Sequence, residues 1–195
     1  MTDGDMDRIA TRRAGPGDVD VVRRITRAAY ARWIPLIGRE PKPMTADYAL
    51  ALERHRVDLL LEDDSVIGLI ETVVEADALL IENVAVLPAH QRHGWGGRLL
   101  GLAEQIAQAH SLRRVRLYTN RRFVENIRLY ARLGYGVDRE EVSAAGVAVH
   151  MSKSLEAMGP GDLGPCDLGP CDLGRGGLGV GEQAPGERAA PMNWA

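Results

Sequence analysis

Cysteine is scarce in this chain of 195 residues, and both cysteines, Cys166 and Cys171, lie near its C-terminal end. A cysteine acyl-enzyme and a cysteine-based metal site are therefore excluded from the first 165 residues. No apolar run reaches the length of a membrane-spanning helix, and the polar residues 1–13 lack the apolar core of a secretory signal. We therefore expect a cytoplasmic protein with no membrane partner.

The chain also has no large excess of basic residues. It contains 24 lysines and arginines and 27 aspartates and glutamates, which gives a formal net charge of -3. This balance gives no electrostatic reason to expect a nucleic-acid partner. The hydrophobic content of 45% is ordinary for a globular protein. About 150 ordered residues would bury about 70% of the unfolded chain's surface, enough for one core without disulfides.

The composition changes after residue 156. Residues 157–195 contain ten glycines and five prolines, and an imperfect five-residue repeat begins at Gly159, Gly164 and Gly169. So few apolar side chains cannot offset the entropy of ordering the segment. We therefore expect a flexible N-terminus at residues 1–7, one domain at residues 8–156 and a disordered Gly/Pro-rich tail at residues 157–195. The alternative for the tail is a metal or redox role for its two cysteines.

Hydrophobic periodicity and turn residues predict the element order β-α-α-β-β-β-α-β-α-β-β. Asp18 is the predicted N-cap of a first helix, which would bury Val22, Ile25 and Ala29 on one face. Thr45 is the predicted N-cap of a second helix ending near residue 55. The other predicted segments are strands at residues 9–13, 57–61, 66–74, 79–87, 115–119, 136–142 and 147–152, and helices at residues 94–110 and 123–133.

The segment from Asn83 to Leu100 runs an apolar strand into a glycine-rich turn and then into an amphipathic helix. Glycines let a backbone approach an anion closely, and the following helix adds the positive end of its dipole. Gln91, Arg92 and Arg98 can donate further hydrogen bonds around the turn. The segment lacks the Lys-Ser/Thr of a P-loop, and its glycines fit the dinucleotide-binding G-x-G-x-x-G spacing badly.

A second motif lies downstream, where the helix predicted from Asn126 carries Tyr130 and ends at Gly134 followed by Tyr135. This N-x-x-x-x-Y-x-x-x-G-[FY] segment and the Q-x-x-G-x-G turn that begins at Gln91 resemble two motifs of the GCN5-related N-acetyltransferase (GNAT) superfamily, in the same order and at about the same separation. The resemblance covers about residues 8–155. It implies the GNAT fold, an α+β architecture with a mixed, largely antiparallel twisted sheet and helices on both faces.

The resemblance also implies acetyl-CoA as the cosubstrate, with its pyrophosphate on the glycine-rich turn. Tyr130 stands where that family presents a tyrosine to the coenzyme sulfur, and the alternative is that its ring only packs against the sheet. Trp95 and Asn120 have simpler alternatives, as a packing residue and as a turn or cap residue. The implied cofactor-binding residues are Val84, Ala85, Val86, Gln91, Arg92, His93, Gly94, Trp95, Gly96, Gly97, Arg98, Asn120, Asn126 and Tyr130.

Glu82 is the first candidate for the general base or amine anchor, because strand alternation places it on one face with Leu80, Val84 and Val86. The family's histone-acetylating branch has its glutamate two residues earlier, where this chain has Leu80. Glu71 is a second carboxylate candidate. A solvated strand-end carboxylate is the alternative for either. By position in the family, Tyr30 and Trp33 are expected to line the acceptor pocket.

Acetyl transfer to an amine needs a bound thioester, a neutral amine and a proton for the departing thiolate, and it requires no metal. We therefore expect an N-acetyltransferase that passes the acetyl group directly to a primary amine of a small molecule or a protein. The alternatives are a non-catalytic acyl-CoA-binding sensor or assembly module on the same fold and, less favoured, a nucleotide-binding α/β domain. The sequence leaves a homodimer open.

Overall fold

The computed structural model describes residues 9–156, and the expected flexible N-terminus, tail and repeat lie outside this range. Within this range, the seven strands and four of the five helices follow the predicted order, and the single helical turn at Ile34–Ile37 is additional. The strands are β1 (Ile9–Arg13), β2 (Arg56–Glu62), β3 (Ser65–Val74), β4 (Leu79–Val86), β5 (Arg114–Asn120), β6 (Gly136–Ser143) and β7 (Gly146–Ser154). The helices are α1 (Val19–Tyr30), the single turn α2 (Ile34–Ile37), α3 (Tyr48–Arg54), α4 (Trp95–Ala109) and α5 (Val124–Arg132).

The strands form one sheet in the order β1-β2-β3-β4-β5-β7-β6, in which β4 and β5 are parallel and the other neighbours antiparallel. Consecutive residues of β3 point to opposite faces of the sheet. Leu69 packs with α1 and α3, whereas Ile70 packs with α4. As predicted, α1 buries Val22, Ile25 and Ala29. The expected fold class is therefore confirmed: a mixed, largely antiparallel sheet with helices on both faces.

The parallel pair is short, and its shortness creates the cleft of the molecule. Only Leu79–Ile81 of β4 pair with Val115–Leu117 of β5. Beyond these residues the two strands run on to Val86 and Asn120 without pairing to each other, so the sheet opens between them.

A β-bulge in β4 overturns the predicted placement of Glu82. The register with β3 pairs Thr72 with Ile81 and Glu71 with Asn83, so Glu82 is an extra residue. An extra residue shifts the side-chain alternation by one position. Val84 and Val86 therefore pack with the α4 core, as Ile81 does, and Glu82 does not share their face.

The start of α3 also differs from the sequence prediction. Asp47, rather than Thr45, caps the helix, because its carboxylate accepts hydrogen bonds from the backbone N–H groups of Ala49 and Leu50 at 3.1 and 3.2 Å. Thr45 instead ends a 3-10 turn at Lys42–Thr45 and donates its hydroxyl to the Lys42 carbonyl at 3.1 Å. Asp18 does precede α1, but its carboxylate accepts from Gly15 N–H and Arg12 instead of capping the helix.

Every helix within residues 9–156 is too short or too polar to span a bilayer.

Candidate functional site

The turn before α4, residues 91–96, has the geometry of an anion-binding site. It is called the glycine turn below, and its free backbone N–H groups are called the anion cradle. Gly94 is the N-cap of α4 and has a φ of 87°, a left-handed conformation that L side chains rarely adopt. A glycine cannot cap a helix with its side chain, so the first N–H groups of the 15-residue helix keep their hydrogen-bonding capacity. With the positive end of the helix dipole, these groups form a site suited to a phosphate.

Gln91 stabilises this turn from within. Its side-chain amide donates to the backbone carbonyl of Val86 at 2.9 Å. Its side-chain oxygen accepts from Arg32 at 3.3 Å. The sequence predicted Gln91 as a donor around the turn, and in the structure one N–H of its side-chain amide is bonded to the end of β4.

The other predicted cofactor residues divide between the cleft and its surroundings. Trp95 packs against the α4 core, Ala85 is buried in the core beside α1, and Asn120 lies in the neighbouring cavity described below. His93 and Arg98 are exposed and lie outside the cleft lining. The predicted residues that do line the cleft beside the turn are Val84, Val86, Gln91, Arg92, Gly94, Gly96, Gly97, Asn126 and Tyr130.

Three arginines that the sequence reading missed also line this cleft, namely Arg32, Arg128 and Arg132. Arg128 and Arg132 are four residues apart on α5, a spacing that places both on one helical face and could have identified them as a pair. Arg32 hydrogen-bonds to the Glu125 carboxylate and lies 4.1 Å over the ring of Trp33. Because four arginines and one glutamate line the cleft, its charge is net positive and it favours a ligand with several negative charges.

Trp33 was predicted in the acceptor pocket, but the structure places it in the cleft beside the turn. Its ring stacks on Phe123, with ring centroids 4.3 Å apart. Arg32, Trp33 and Phe123 thus form a continuous stack from the cleft to the start of α5.

A second cavity, of about 330 Å³, lies on the other side of the opening between β4 and β5. Tyr30, Asn126 and Tyr130 line both this cavity and the cleft, so the two spaces meet at these side chains. Burial raises the pKa of Tyr130 to about 12, so that its hydroxyl is protonated at neutral pH. Tyr130 is therefore a neutral hydrogen-bond donor at the junction.

The two predicted carboxylates, Glu71 and Glu82, both line this second cavity. The side chain of Glu82 is 15% exposed and lies 3.9 Å from the ammonium of Lys42. Burial, together with the charge and hydrogen bond of Glu82, raises the pKa of Tyr118 far above its usual value. A carboxylate with this little exposure to solvent favours a nearby cation, so Glu82 is suited to hold an ammonium group.

Glu71 is more deeply buried than Glu82, with 5% of its side chain exposed, and it has a partner that the sequence reading missed. The Nδ1 atom of His55 lies 2.6 Å from its carboxylate. This hydrogen bond raises the pKa of His55, whereas partial burial opposes the rise. No local pattern in the sequence links two residues that are 16 positions apart on different elements.

Asn83 connects the wall of the cavity to the helices behind it. Tyr30 donates its hydroxyl to the Asn83 side-chain oxygen at 3.0 Å. The Asn83 amide donates to Thr26 and Tyr48, each at 3.2 Å. Tyr48 in turn donates to the Pro43 carbonyl at 2.7 Å. This network fixes Tyr30 at the junction of the two spaces.

Two arginines join the segment between α1 and α3 to the loops that follow β5 and β6. Arg39 donates to the carbonyl of Ala145 in the β6–β7 turn at 2.8 Å, and Arg122 donates to that of Leu36 at 2.6 Å. Asn120 stabilises the same region, because its side-chain oxygen accepts from the Arg122 backbone N–H at 2.9 Å. The middle of the segment between α1 and α3 is therefore tied, at Leu36 and Arg39, to residues beside the cavity.

Among residues 9–156, no three His, Cys, Asp or Glu side chains are grouped to hold a metal ion.

The model of the acetyltransferase (GNAT) family matches residues 22–135, more than half of the chain. No curated protein matches the chain. Among solved structures, the chain is similar to the PaiA N-acetyltransferase from Thermoplasma acidophilum in complex with coenzyme A, at 18% identity and a TM-score of 0.64, covering 75% of this chain and 98% of that one.

Two further structures are similar over comparable lengths. Ard1 from Thermoplasma volcanium is 20% identical with a TM-score of 0.61, covering 76% of this chain and 99% of that one. A GNAT family acetyltransferase from Elizabethkingia anophelis with acetyl-CoA bound is 15% identical with a TM-score of 0.59, covering 76% and 99%. At these identities the structural likeness establishes the fold alone.

Proposed function

The chain belongs to the acetyltransferase (GNAT) family, and we propose that it transfers an acetyl group from acetyl-CoA directly to a primary amine. The acceptor belongs to a small molecule or to a protein. In this proposal both substrates are bound together, and the described residues contain no cysteine that could serve as an acetyl carrier.

The meeting of the two spaces at Tyr130 is the observation that carries this proposal. On one side, the glycine turn and the cleft arginines form a site suited to a diphosphate. On the other side, Glu71 and Glu82 lie in a cavity suited to an ammonium group. A thioester whose diphosphate rests on the turn would extend between β4 and β5 toward the junction, where the amine can reach it.

The chemistry assigns separate tasks to the residues around the junction. Glu82 holds the ammonium group or accepts its proton, and Tyr130 donates a proton to the thiolate as the C–S bond breaks. The new C–N bond forms at the thioester carbon, and the attacking nitrogen gives up its second proton, which restores the Tyr130 hydroxyl. The net products are an amide, a free thiol and one proton.

The test is thiol release from acetyl-CoA with a panel of primary amines: butylamine, benzylamine, 1,4-diaminobutane, spermidine and short peptides with a free N-terminus. Amine-dependent release with intersecting double-reciprocal plots supports direct transfer, whereas parallel plots contradict it. Calorimetry with CoA, ATP and NAD supplies the binding control. Tight CoA binding without release for any amine would favour the alternative of a non-catalytic acyl-CoA-binding module. Preference for ATP or NAD would contradict both.

A further inference from the structure

His55 and Glu71 form a partly buried acid–imidazole pair in the wall of the acceptor cavity. Nδ1 of His55 and Oε1 of Glu71 are 2.6 Å apart, and only 16% and 5% of the two side chains are exposed. A carboxylate can only accept a hydrogen bond, so Nδ1 carries the shared hydrogen. The hydrogen bond thereby selects the tautomer of the neutral ring in which Nε2 is the proton acceptor.

The Nε2 atom is unused by the protein. Across residues 9–156, no group hydrogen-bonds to it, and His55 lines the same cavity as Glu82 and Tyr130. The charged groups that act on the ring are Glu71 of β3, Glu82 of β4 and Arg54 of α3. A ring that is oriented by one carboxylate and faces a cavity beside another is arranged to exchange a proton with a bound ammonium group.

A second histidine–glutamate pair lies outside the acceptor cavity. Nε2 of His150 lies 3.0 Å from the Glu141 carboxylate, on strands β7 and β6. Neither residue lines the acceptor cavity. Burial lowers the pKa of His150, whereas the Glu71 hydrogen bond raises that of His55. The His150 pair therefore provides a natural control.

We propose that His55, oriented by Glu71, removes the proton from the substrate ammonium, while Glu82 holds that ammonium in place. This inference rests on the proposed acetyl transfer and gives the two carboxylates of the cavity different roles. Glu71 orients His55, and Glu82 holds the ammonium group. The N–H bond of the ammonium breaks, its electron pair stays on nitrogen, and Nε2 takes the proton and later releases it to solvent. The amine thus becomes neutral before it attacks the thioester carbon.

The proposal sets the direction of the pH dependence. Only the neutral ring can accept a proton, so kcat rises as the pH passes upward through the pKa of His55. The Glu71 hydrogen bond raises that pKa. Glu71→Gln removes the negative charge while it keeps a hydrogen-bond acceptor, so the rising limb should move to lower pH.

The first experiment measures kcat against pH with the amine from the panel that gives the fastest thiol release. His55→Gln should lower kcat on the order of 10² and abolish the rising limb assigned to the imidazole, with unchanged acetyl-CoA affinity. In His55→Ala, added imidazole should restore part of kcat, because the space beside Glu71 can hold it. His150→Gln should keep the parent profile. A parent-like profile in His55→Gln, or no rescue of His55→Ala, would overturn the proposal.

The second experiment needs no acceptor. The titration of the His55 ring is followed by NMR in the full chain and in Glu71→Gln. The proposal expects a pKa above the ordinary histidine value that falls in Glu71→Gln, and an ordinary value in both proteins would overturn it. If the titration behaves as expected but no amine supports thiol release, the proposed acetyl transfer fails instead, and with it the catalytic role of the pair.

Discussion

The side-chain amide of Gln91 donates a 2.9 Å hydrogen bond to the backbone carbonyl of Val86, the last residue of β4. The bond ties the glycine turn to the strand that borders the opening in the sheet. The family motif places a glutamine at this position beside the pyrophosphate, and in this chain the glutamine shapes the turn itself. The position of the backbone N–H groups therefore depends on this side chain.

Replacing Gln91 with glutamate removes the donor to Val86 and adds a negative charge beside the anion cradle. A lost hydrogen bond is worth about 1 kcal/mol, and charge repulsion adds to it. We expect at least tenfold weaker acetyl-CoA binding, about 1.4 kcal/mol, by calorimetry. The control is Gln105→Glu, which makes the same change at an exposed position of α4. Equal affinities of the two variants would show that the hydrogen bond does not shape the cradle.

Gly96→Val should block the cleft while the domain stays folded. A Cβ at Gly96 would lie 3.6 Å from the side chain of Leu129, an ordinary contact, but the larger side chain would occupy the approach of a diphosphate to the turn. We expect at least tenfold weaker acetyl-CoA binding, or about 1.4 kcal/mol, with a melting temperature close to that of the parent. Gly101→Val, where an added Cβ meets nothing within 4 Å, should bind normally.

Tyr130→Phe keeps the ring at the junction and removes the proton donor. We expect kcat to fall on the order of 10² with nearly unchanged acetyl-CoA affinity, measured on the same preparation. Because the pKa of Tyr130 is about 12, the parent should show no loss of kcat from this residue below about pH 11.

Tyr135→Phe is the matched control for Tyr130→Phe. Tyr135 lines neither the cleft nor the acceptor cavity, so removal of its buried hydroxyl should leave kcat unchanged. If both variants lost activity equally, the effect would come from the packing of the rings, which lie 6.2 Å apart.

Asp18 should make the stability of the domain depend on acid pH. Its hydrogen bond from Arg12 lowers the pKa of the Asp18 carboxyl to about 2, below the unfolded value of 3.8. A depressed pKa stabilises the folded state above the unfolded value, and the effect disappears as the pH falls through the folded value. Urea denaturation at several pH values should therefore show Asp18→Asn clearly less stable than the parent at pH 7, with the difference shrinking between about pH 4 and pH 2. A constant difference would contradict the assignment.

A stop codon after residue 158 should preserve both the melting temperature and the acetyl-CoA affinity. Leu155 is buried, and its backbone N–H donates to the Arg113 carbonyl at 2.8 Å, so this variant keeps the packed end of the chain after β7. A stop after Ser152 is the contrasting variant, because it removes Leu155 and the 2.7 Å ion pair between Lys153 and Glu104. A large loss of stability in the longer variant would show that residues 159–195 pack on the domain.

Much of the fold could be predicted because its signals are local. The spacing of Val22, Ile25 and Ala29 predicted the buried face of α1, and Gly134 does end α5, with a φ of 90°. The glycine turn was recognisable for the same reason, since consecutive residues supply its backbone N–H groups and the helix that follows.

The predictions from sequence were wrong where contact with another strand or helix determines the position of a side chain. Glu82 was assigned to a face by simple alternation, but the register with β3 inserts a bulge at that residue and turns it toward the acceptor cavity. Trp33 was assigned to that cavity by its position in the family, but it lines the cleft, where its ring stacks on Phe123 at the boundary with the cavity.

The sequence alone therefore determined the element order and the glycine turn, because neighbouring residues fix helices, turns and backbone donors, and the resemblance to the family supplied the sheet class. The tertiary structure decided the acceptor site. The His55–Glu71 pair, the bond from Arg39 to the Ala145 carbonyl and the meeting of two spaces at Tyr130 join residues from separate elements. Short hydrogen bonds and burial depend on distances between these elements, and such distances exist only once the sheet and helices have packed.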